Sequence, residues 1–126
     1  MTDTTNRYVS RGAEAHTIDV KCIEAKATYG GGLMAKPLIM GELMTFLEIT
    51  YIMGSGAPLH VHEHGPLVYV VRGRIESTID GEDYKLEPGG TCLHSAGVPN
   101  TVEALEDATL VEIKSPAHNI AKFLEW

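Results

Sequence analysis

The sequence predicts an all-β protein, folded as an antiparallel β-barrel or two-sheet jelly roll. Short runs of alternating apolar and polar residues cover most of the chain, as in strands that bury one face. Turn-forming residues separate these runs at intervals of about eight to ten residues, and almost no helix is indicated. Barrels of this type hold one small ligand inside, so inward-facing polar side chains should line a cavity.

Length and composition describe one globular domain. The 126 residues are 44% hydrophobic and 21% charged, which is ordinary for a soluble protein. We expect a flexible tail over residues 1–12 and a single domain over residues 13–126. No apolar run approaches the roughly 18 residues of a membrane span, and the polar N-terminus lacks the apolar core of a secretory signal. A cytoplasmic protein without a membrane partner is therefore expected.

The charge balance and the cysteine count narrow the choice of partners. Ten basic and seventeen acidic residues give a net charge of −7, so nucleic acid would be repelled and is not expected as a partner. Cys22 and Cys92 are too few for a disulfide framework or a metal knuckle, and we expect both to be reduced and buried. The expected partner is a small-molecule substrate.

In the first half of the chain, glycine-rich segments separate two predicted strands. Thr17–Ile23 alternates and predicts a first strand, whereas three glycines at Gly30–Gly32 indicate a loop. Glu42–Met53 is rich in β-branched and aromatic residues and predicts a long strand. Gly54–Pro58 predicts a turn, after which a strand with three histidines begins.

In the second half, short strands follow one another at close intervals. Leu67–Val71 and Ile75–Ile79 are predicted strands, and Asp80-Gly81 is a hairpin dipeptide. Ser115 and Pro116 fit the N-cap and first position of a short C-terminal helix that runs through Phe123. The remaining predicted strands lie at Thr91–His94, Thr101–Leu105 and Thr109–Ile113.

Three histidines, His60, His62 and His64, alternate at the start of the central apolar segment. Residues two apart on a strand lie on the same face, so His60 and His62 would stand about 6.6 Å apart and could bind one metal ion. Imidazole nitrogen suits Zn, Fe, Ni, Cu and Mn, so the pair indicates a divalent transition metal without selecting one. The alternative is that these are hydrogen-bonded or half-exposed strand residues without a ligand.

These residues fall at spacings that resemble the cupin family, over residues 42–115. The first cupin motif is matched by Gly54, the His60–His62 pair and Gly73, but Pro66 stands at the usual glutamate position. The second motif fits at its glycines, Gly89 and Gly97, with Asn100 where cupins usually have their last histidine. The resemblance implies a small single-domain cupin and, by analogy, a homodimer to which residues 11–26 contribute.

The resemblance also implies a metal site, since a usual cupin binds its metal through three histidines and one glutamate. This chain keeps two of the four, and Asn100 offers only a neutral amide oxygen. We expect His94 or His64 to replace a missing ligand; His94 is alternatively a pocket acid or base, or a hydrogen-bonded core histidine. A site of His60, His62 and one further histidine leaves a position for water or substrate.

Two classes of function follow from this reading. The first is a metal-dependent enzyme that isomerises, cleaves or cyclises a carbonyl, enol, sugar-acid or polyketide-like substrate, with His94 or Asn100 moving a proton or orienting the substrate. The closing segment Glu112–Pro116 resembles small cupins with such activities. A cupin dioxygenase is a less favoured variant. The second class is a cupin that binds a small ligand without catalysis, and Pro66 supports it because proline supplies no ligand atom.

Overall fold

The structure is a computed structural model that describes residues 8–115, and strands make up nearly all of its regular structure. A short 3-10 turn at Gly12–Glu14 precedes the first strand. The twelve strands of residues 8–115 are β1 (Ile18–Asp19), β2 (Cys22–Ile23), β3 (Lys26–Ala27), β4 (Leu33–Met40), β5 (Thr45–Tyr51), β6 (Gly56–His60), β7 (Leu67–Arg72), β8 (Ile75–Ile79), β9 (Glu82–Leu86), β10 (Thr91–Leu93), β11 (Asn100–Ala104) and β12 (Ala108–Lys114).

The strands form two main sheets and one small hairpin sheet. The larger sheet has the order β1-β4-β5-β12-β7-β10, and the smaller has the order β6-β11-β8-β9. Every pairing in the described part of the chain is antiparallel. Strands that are neighbours in the sheets are often distant in sequence, as in a jelly roll.

Alternation along the strands separates the core from the outer surface. In β5, Thr45, Leu47, Ile49 and Tyr51 are buried, while the residues between them are half-exposed. Both sheets contribute to one core, so its apolar side chains stabilise the pairing of the two sheets. The largest fully buried apolar side chains of that core are Leu33, Leu47, Ile75, Leu110, Val68 and Val70.

The hairpin of β2 and β3 is tied to the start of β6. Tyr29, just after β3, exchanges backbone hydrogen bonds of 3.0 and 3.1 Å with Gly56. The approach is close enough that a Cβ on Gly56 would lie 2.2 Å from the carbonyl oxygen of Val102 and 2.8 Å from the hydroxyl of Tyr29. Glycine is therefore needed at this position.

The predicted all-β jelly roll is confirmed, and most predicted strands are present. The single strand predicted over Thr17–Ile23 is instead two short strands, β1 and β2, which belong to different sheets because β2 pairs only with β3. The prediction missed β4 entirely, where Pro37 interrupts the strand pattern; the pairing with β5 shifts register between Pro37 and Ile39. The turn predicted at Gly54–Pro58 is wrong for its last three residues, which open β6. The strand predicted over Glu42–Met53 is shorter, because only Thr45–Tyr51 pairs with neighbours on both sides.

Several other expectations concern the ends of the chain and its compartment. The predicted C-terminal helix lies outside the described residues, except for Ser115, and so does most of the predicted N-terminal tail. Cys22 and Cys92 are both free and half-buried, rather than fully buried as expected. Within residues 8–115, no helix has the length and apolar character that crossing a membrane requires.

Candidate functional site in the barrel

Three buried histidines meet inside the barrel. Two of them come from the end of β6 and the loop after it, and the third comes from the segment after β10. His60 is the last residue of β6, and His62 follows in the next loop. A register shift between β6 and β11 pairs Asn100 with His60 and Val102 with Ala57, so an extra residue on β6 turns both Ala57 and His60 inward. His94 follows β10 directly. The side chains of all three histidines are buried.

A close contact between two backbone segments holds His62 beside His94. The amide of His94 donates to the carbonyl of Pro66 (3.0 Å), and the amide of Gly97 donates to the carbonyl of His62 (3.0 Å). Gly65 makes this possible, because a Cβ there would lie 1.8 Å from the carbonyl oxygen of His94. The two imidazole rings stack with centroids 6.1 Å apart and planes inclined by 7°.

Hydrogen bonds to oxygen determine which nitrogen of His60 and of His62 carries the proton. Nδ1 of His60 lies 2.7 Å from the carbonyl oxygen of Pro58, and Nδ1 of His62 lies 3.2 Å from Oε2 of Glu24. Both oxygens only accept, so each Nδ1 must donate. In a neutral ring this leaves Nε2 without a proton and with a lone pair.

The two unprotonated nitrogens face each other. Nε2 of His60 lies 3.0 Å from Nε2 of His62, and the rings meet edge to face at 82°. Two lone pairs at this distance repel unless a cation lies between them. Two imidazole nitrogens bound to one metal ion at about 2.1 Å are about 3.0 Å apart where the angle between the bonds is about 90°, and about 3.4 Å apart in tetrahedral coordination. In this tautomer the pair offers two facing lone pairs to one metal ion, whereas with Nε2 of one ring protonated the same 3.0 Å contact is a hydrogen bond.

His94 is held differently, by Ser77 on β8. The hydroxyl of Ser77 donates to the carbonyl of Thr101 (2.7 Å), so it can only accept from Nε2–H of His94 (3.0 Å). The lone pair of His94 is then on Nδ1. The thiol of Cys92 lies 3.6 Å from the same Nε2. His94 is thus a hydrogen-bonded pocket histidine whose Nε2 is already occupied.

Burial keeps the three imidazoles neutral. It lowers the pKa of His62 to about 2, helped by the positive charge of Lys114. It also lowers the pKa of His94 to about 4. For His60 burial lowers the pKa, while the hydrogen bond to Pro58 opposes the shift. Neutral imidazoles are the form that binds a metal ion.

The histidines line a small cavity whose other walls are mainly apolar. Its volume is about 40 Å³, room for a few water molecules or part of a ligand. Charged side chains enter from β12, where Glu112 and Lys114 alternate with outward-facing residues. Burial raises the pKa of Glu112 and lowers the pKa of Lys114, and the opposite charge of each opposes the shift of the other. The apolar walls are Val20, Ile23, Leu33, Leu47, Ile49, Tyr51, Ala57 and Val102.

Asn100 is an unsatisfied polar residue beside the cluster. It is fully buried, and neither its amide oxygen nor its amide nitrogen has a hydrogen-bond partner within residues 8–115. Its backbone lies opposite His60 in the β6–β11 pairing, but its side chain does not line the cavity. A buried amide without partners is costly unless a ligand or ion satisfies it.

The match of this chain to a family profile decides which protein family it belongs to. The profile described as Cupin domain matches residues 47–113, which is more than half of the chain. The chain is a cupin. The matched range runs from β5 to β12 and contains all three buried histidines, so the site lies within the family's own domain.

Solved structures agree with this cupin fold. KdgF from Halomonas sp. is 23% identical, with a TM-score of 0.76 over 89% of this chain and 96% of that one. A predicted oxalate decarboxylase from Thermotoga maritima is 17% identical, with a TM-score of 0.74 over 86% and 98%. The polyketide cyclase RemF from Streptomyces resistomycificus is 15% identical, with a TM-score of 0.71 over 87% and 82%. Such identities show the fold alone, and no curated protein matches the cupin significantly.

The cupin brings together His60, His62 and His94, three of the four histidines proposed from the sequence as metal ligands, whereas His64 lies elsewhere. The side chain of His64 is 42% exposed, and its Nε2 lies 3.9 Å from the carboxylate of Glu63. The alternation that would have turned it inward ends at His62, because the chain bends over residues 63–64. Within residues 8–115, no group of three or more His, Cys, Asp or Glu side chains is arranged to hold a metal ion.

Four residues of the site were not predicted from the sequence: Glu24, Ser77, Glu112 and Lys114. Glu112 and Lys114 carried a usable signal, since they lie two and four residues after buried Leu110 and share its strand face. Glu24 lies 38 residues before His62, and Ser77 lies 17 residues before His94. Local pattern gives no indication of such distant partners.

Replacing Ser77 with alanine should destabilise the cupin, because Nε2–H of buried His94 would lose its acceptor. A buried donor left unsatisfied costs about 1–3 kcal/mol of unfolding free energy. Urea denaturation of Ser77→Ala against Glu76→Ala, a neighbour on β8 with a half-exposed side chain, would measure the difference. Equal midpoints for Ser77→Ala and the unmodified protein would contradict the assigned hydrogen bond.

Proposed function

We propose that this cupin is an enzyme that binds one divalent transition metal at His60 and His62 and acts on a small oxygenated molecule in the pocket. The 3.0 Å approach of their two unprotonated Nε2 atoms is the observation that carries the proposal. Hydrogen bonds on the far side of each ring support it, because second partners of this kind orient metal-ligating histidines.

The pocket residues suit a carbonyl or enol substrate. A bound metal would polarise the oxygen of such a group. The apolar walls exclude water, which strengthens electrostatic contacts inside. The unprotonated Nδ1 of His94 can accept a proton, and the buried amide of Asn100, whose backbone pairs with His60, would offer a polar contact to a ligand that reached it. These are the chemical groups that an isomerisation, lyase or cyclisation step requires.

Similar structures add modest support for the substrate class. The names of two of them, a predicted oxalate decarboxylase and a polyketide cyclase, refer to small oxygen-rich molecules. Within this class, the positive charge of Lys114 in the pocket favours substrates that develop negative charge on oxygen. Homodimer formation and a cytoplasmic location remain predictions.

The experiment that tests the proposal is elemental analysis of the untagged protein, purified without chelator. We expect close to one transition-metal ion per chain in the unmodified protein and almost none in His60→Ala. Circular dichroism should show that His60→Ala remains folded, because the apolar core is formed mainly by other residues.

His64→Ala is the matched control, since it removes an exposed imidazole from the same loop. It should retain the metal. Loss of metal from His64→Ala as complete as from His60→Ala would contradict the assigned ligands. A protein that takes up no metal even after reconstitution would reject the metal-dependent enzyme.

The second candidate function is a cupin that binds a small ligand without catalysis. The absence of a third His, Cys, Asp or Glu ligand within residues 8–115 is the observation that favours it. Proton NMR in deuterated water separates the two functions, because an isomerase or lyase exchanges the proton next to the carbonyl of its substrate. Binding of a carbonyl compound without exchange, by the metal-loaded protein, would favour the ligand-binding function.

A further inference from the structure

The turn between β2 and β3 brings a carboxylate to the histidines from outside the matched cupin domain. Glu24 and Ala25 form this two-residue turn, and both have positive φ angles, 48° and 64°. Such turns usually contain glycine or asparagine. The hairpin is fixed to the barrel by the backbone pairing of Tyr29 with Gly56 and by a bond from the hydroxyl of Thr28 to the carbonyl of Val20 (2.8 Å).

Glu24 contacts the histidine cluster at one defined atom. Its Oε2 lies 3.2 Å from Nδ1 of His62, and its side chain is 26% exposed. Within residues 8–115, no other carboxylate is hydrogen-bonded to His60, His62 or His94. The contact is on the side of the ring that faces away from Nε2, so Glu24 is placed to act through His62.

Without this carboxylate, the two facing histidines could form a hydrogen bond to each other. His62 could carry its proton on Nε2 and donate it to Nε2 of His60 across the existing 3.0 Å contact. That tautomer removes the repulsion between the two lone pairs, but it occupies both nitrogens that face each other. A carboxylate at Nδ1 opposes this change, because a charged acceptor holds the proton more strongly than a neutral one.

We propose that Glu24 is a positioning residue that holds His62 in its Nδ1–H tautomer and thereby keeps the two facing Nε2 atoms available to one divalent metal ion. The proposal rests on the proposed function for the metal, while the tautomer itself is a property of the metal-free protein. It gives the β2–β3 hairpin a role in the site, although the hairpin precedes the matched domain.

The test compares Glu24→Gln with the unmodified protein by two measurements. Gln keeps the shape of the side chain, but it removes the charge and can donate to an unprotonated Nδ1. Competition with a chromophoric chelator should show Zn²⁺ binding weakened about 10- to 100-fold, as for other changes of this kind. Nitrogen-15 NMR of the metal-free imidazoles should show His62 as Nδ1–H in the unmodified protein and shifted toward Nε2–H in Glu24→Gln.

Glu14→Gln is the matched control, because it removes the same charge from an exposed residue near the N-terminus. It should leave both Zn²⁺ affinity and the His62 tautomer unchanged. Equal Zn²⁺ affinity in Glu24→Gln and the unmodified protein would overturn the proposal.

The NMR measurement separates failure of this proposal from failure of the proposed function. If the unmodified protein binds no Zn²⁺, the metal-dependent function fails, whereas an Nδ1–H tautomer of His62 that is lost in Glu24→Gln still supports the positioning role. Finding His62 as Nε2–H in the unmodified metal-free protein overturns the role of Glu24, even if Glu24→Gln does not fold.

Discussion

Replacing Gly65 with alanine is expected to lower the free energy of unfolding by about 3 kcal/mol and to separate His62 from His94. The new Cβ would lie 1.8 Å from the carbonyl oxygen of His94 and 2.9 Å from the amide nitrogen of Ala96. Both atoms belong to backbone, so a rotamer change cannot relieve the clash. One segment must move by more than 1 Å, and the hydrogen bonds that join His94 to Pro66 and Gly97 to His62 would be strained or broken.

Urea denaturation and NMR of the histidine rings would measure both parts of this effect. Gly41→Ala is the matched control, since its Cβ would meet its nearest neighbour, the carbonyl oxygen of Met44, at an ordinary 3.6 Å. We expect it to change stability by less than about 0.5 kcal/mol. A Gly65→Ala protein as stable as Gly41→Ala, with unchanged histidine signals, would show that the two segments are not packed as described.

The metal-free cupin is expected to lose stability steeply as the pH falls below 6.5. The folded protein keeps His62 and His94 neutral, with their pKa values lowered to about 2 and about 4, whereas the unfolded chain protonates both near pH 6.5. Below pH 6.5 the unfolded state therefore binds more protons. The free energy of unfolding is therefore highest above pH 6.5. It declines as the pH falls toward 4, by up to about 1.4 kcal/mol per pH unit for each ring.

Urea denaturation at pH 7.5, 6.0 and 5.0, in the presence of chelator, would measure this dependence. Burial raises the pKa of Glu112, so proton uptake by its carboxylate opposes the loss of stability at the acidic end. His94→Gln removes one of the three rings whose pKa burial lowers, while keeping a donor for Ser77, so its stability should depend less steeply on pH. A midpoint that stays constant from pH 7.5 to 5.0 would contradict the burial of neutral imidazoles.

Local pattern was sufficient to predict the class of fold. Alternation identifies Thr45–Tyr51 and Ile75–Ile79 because each strand buries one face, and Asp80-Gly81 marks the hairpin between β8 and β9. The same reasoning failed at Leu33–Met40, where Pro37 disturbs the pattern. That strand is stabilised by its pairing with β5, which is a tertiary contact.

The position of His62 shows that strand periodicity predicts which side chains point inward only as far as the strand extends. The sequence predicted that His60 and His62 share a strand face, and both side chains are buried, although only His60 lies on a strand. However, β6 ends at His60, so His62 points inward because its loop packs against the segment after β10. His64, one step further in the same alternation, is exposed because nothing continues the strand.

The sequence by itself determined the class of fold, the cupin motif spacing and a set of candidate histidines, His60, His62, His64 and His94. Only the tertiary structure decided that Glu24 accepts the Nδ1–H of His62, that Ser77 accepts the Nε2–H of His94 and that Lys114 lies in the pocket. The physical reason is that periodicity reports which face a residue occupies. The positions of protons and charges in the site depend on which distant side chains contact the histidines. The pairing of strands that are remote in sequence decides which side chains those are.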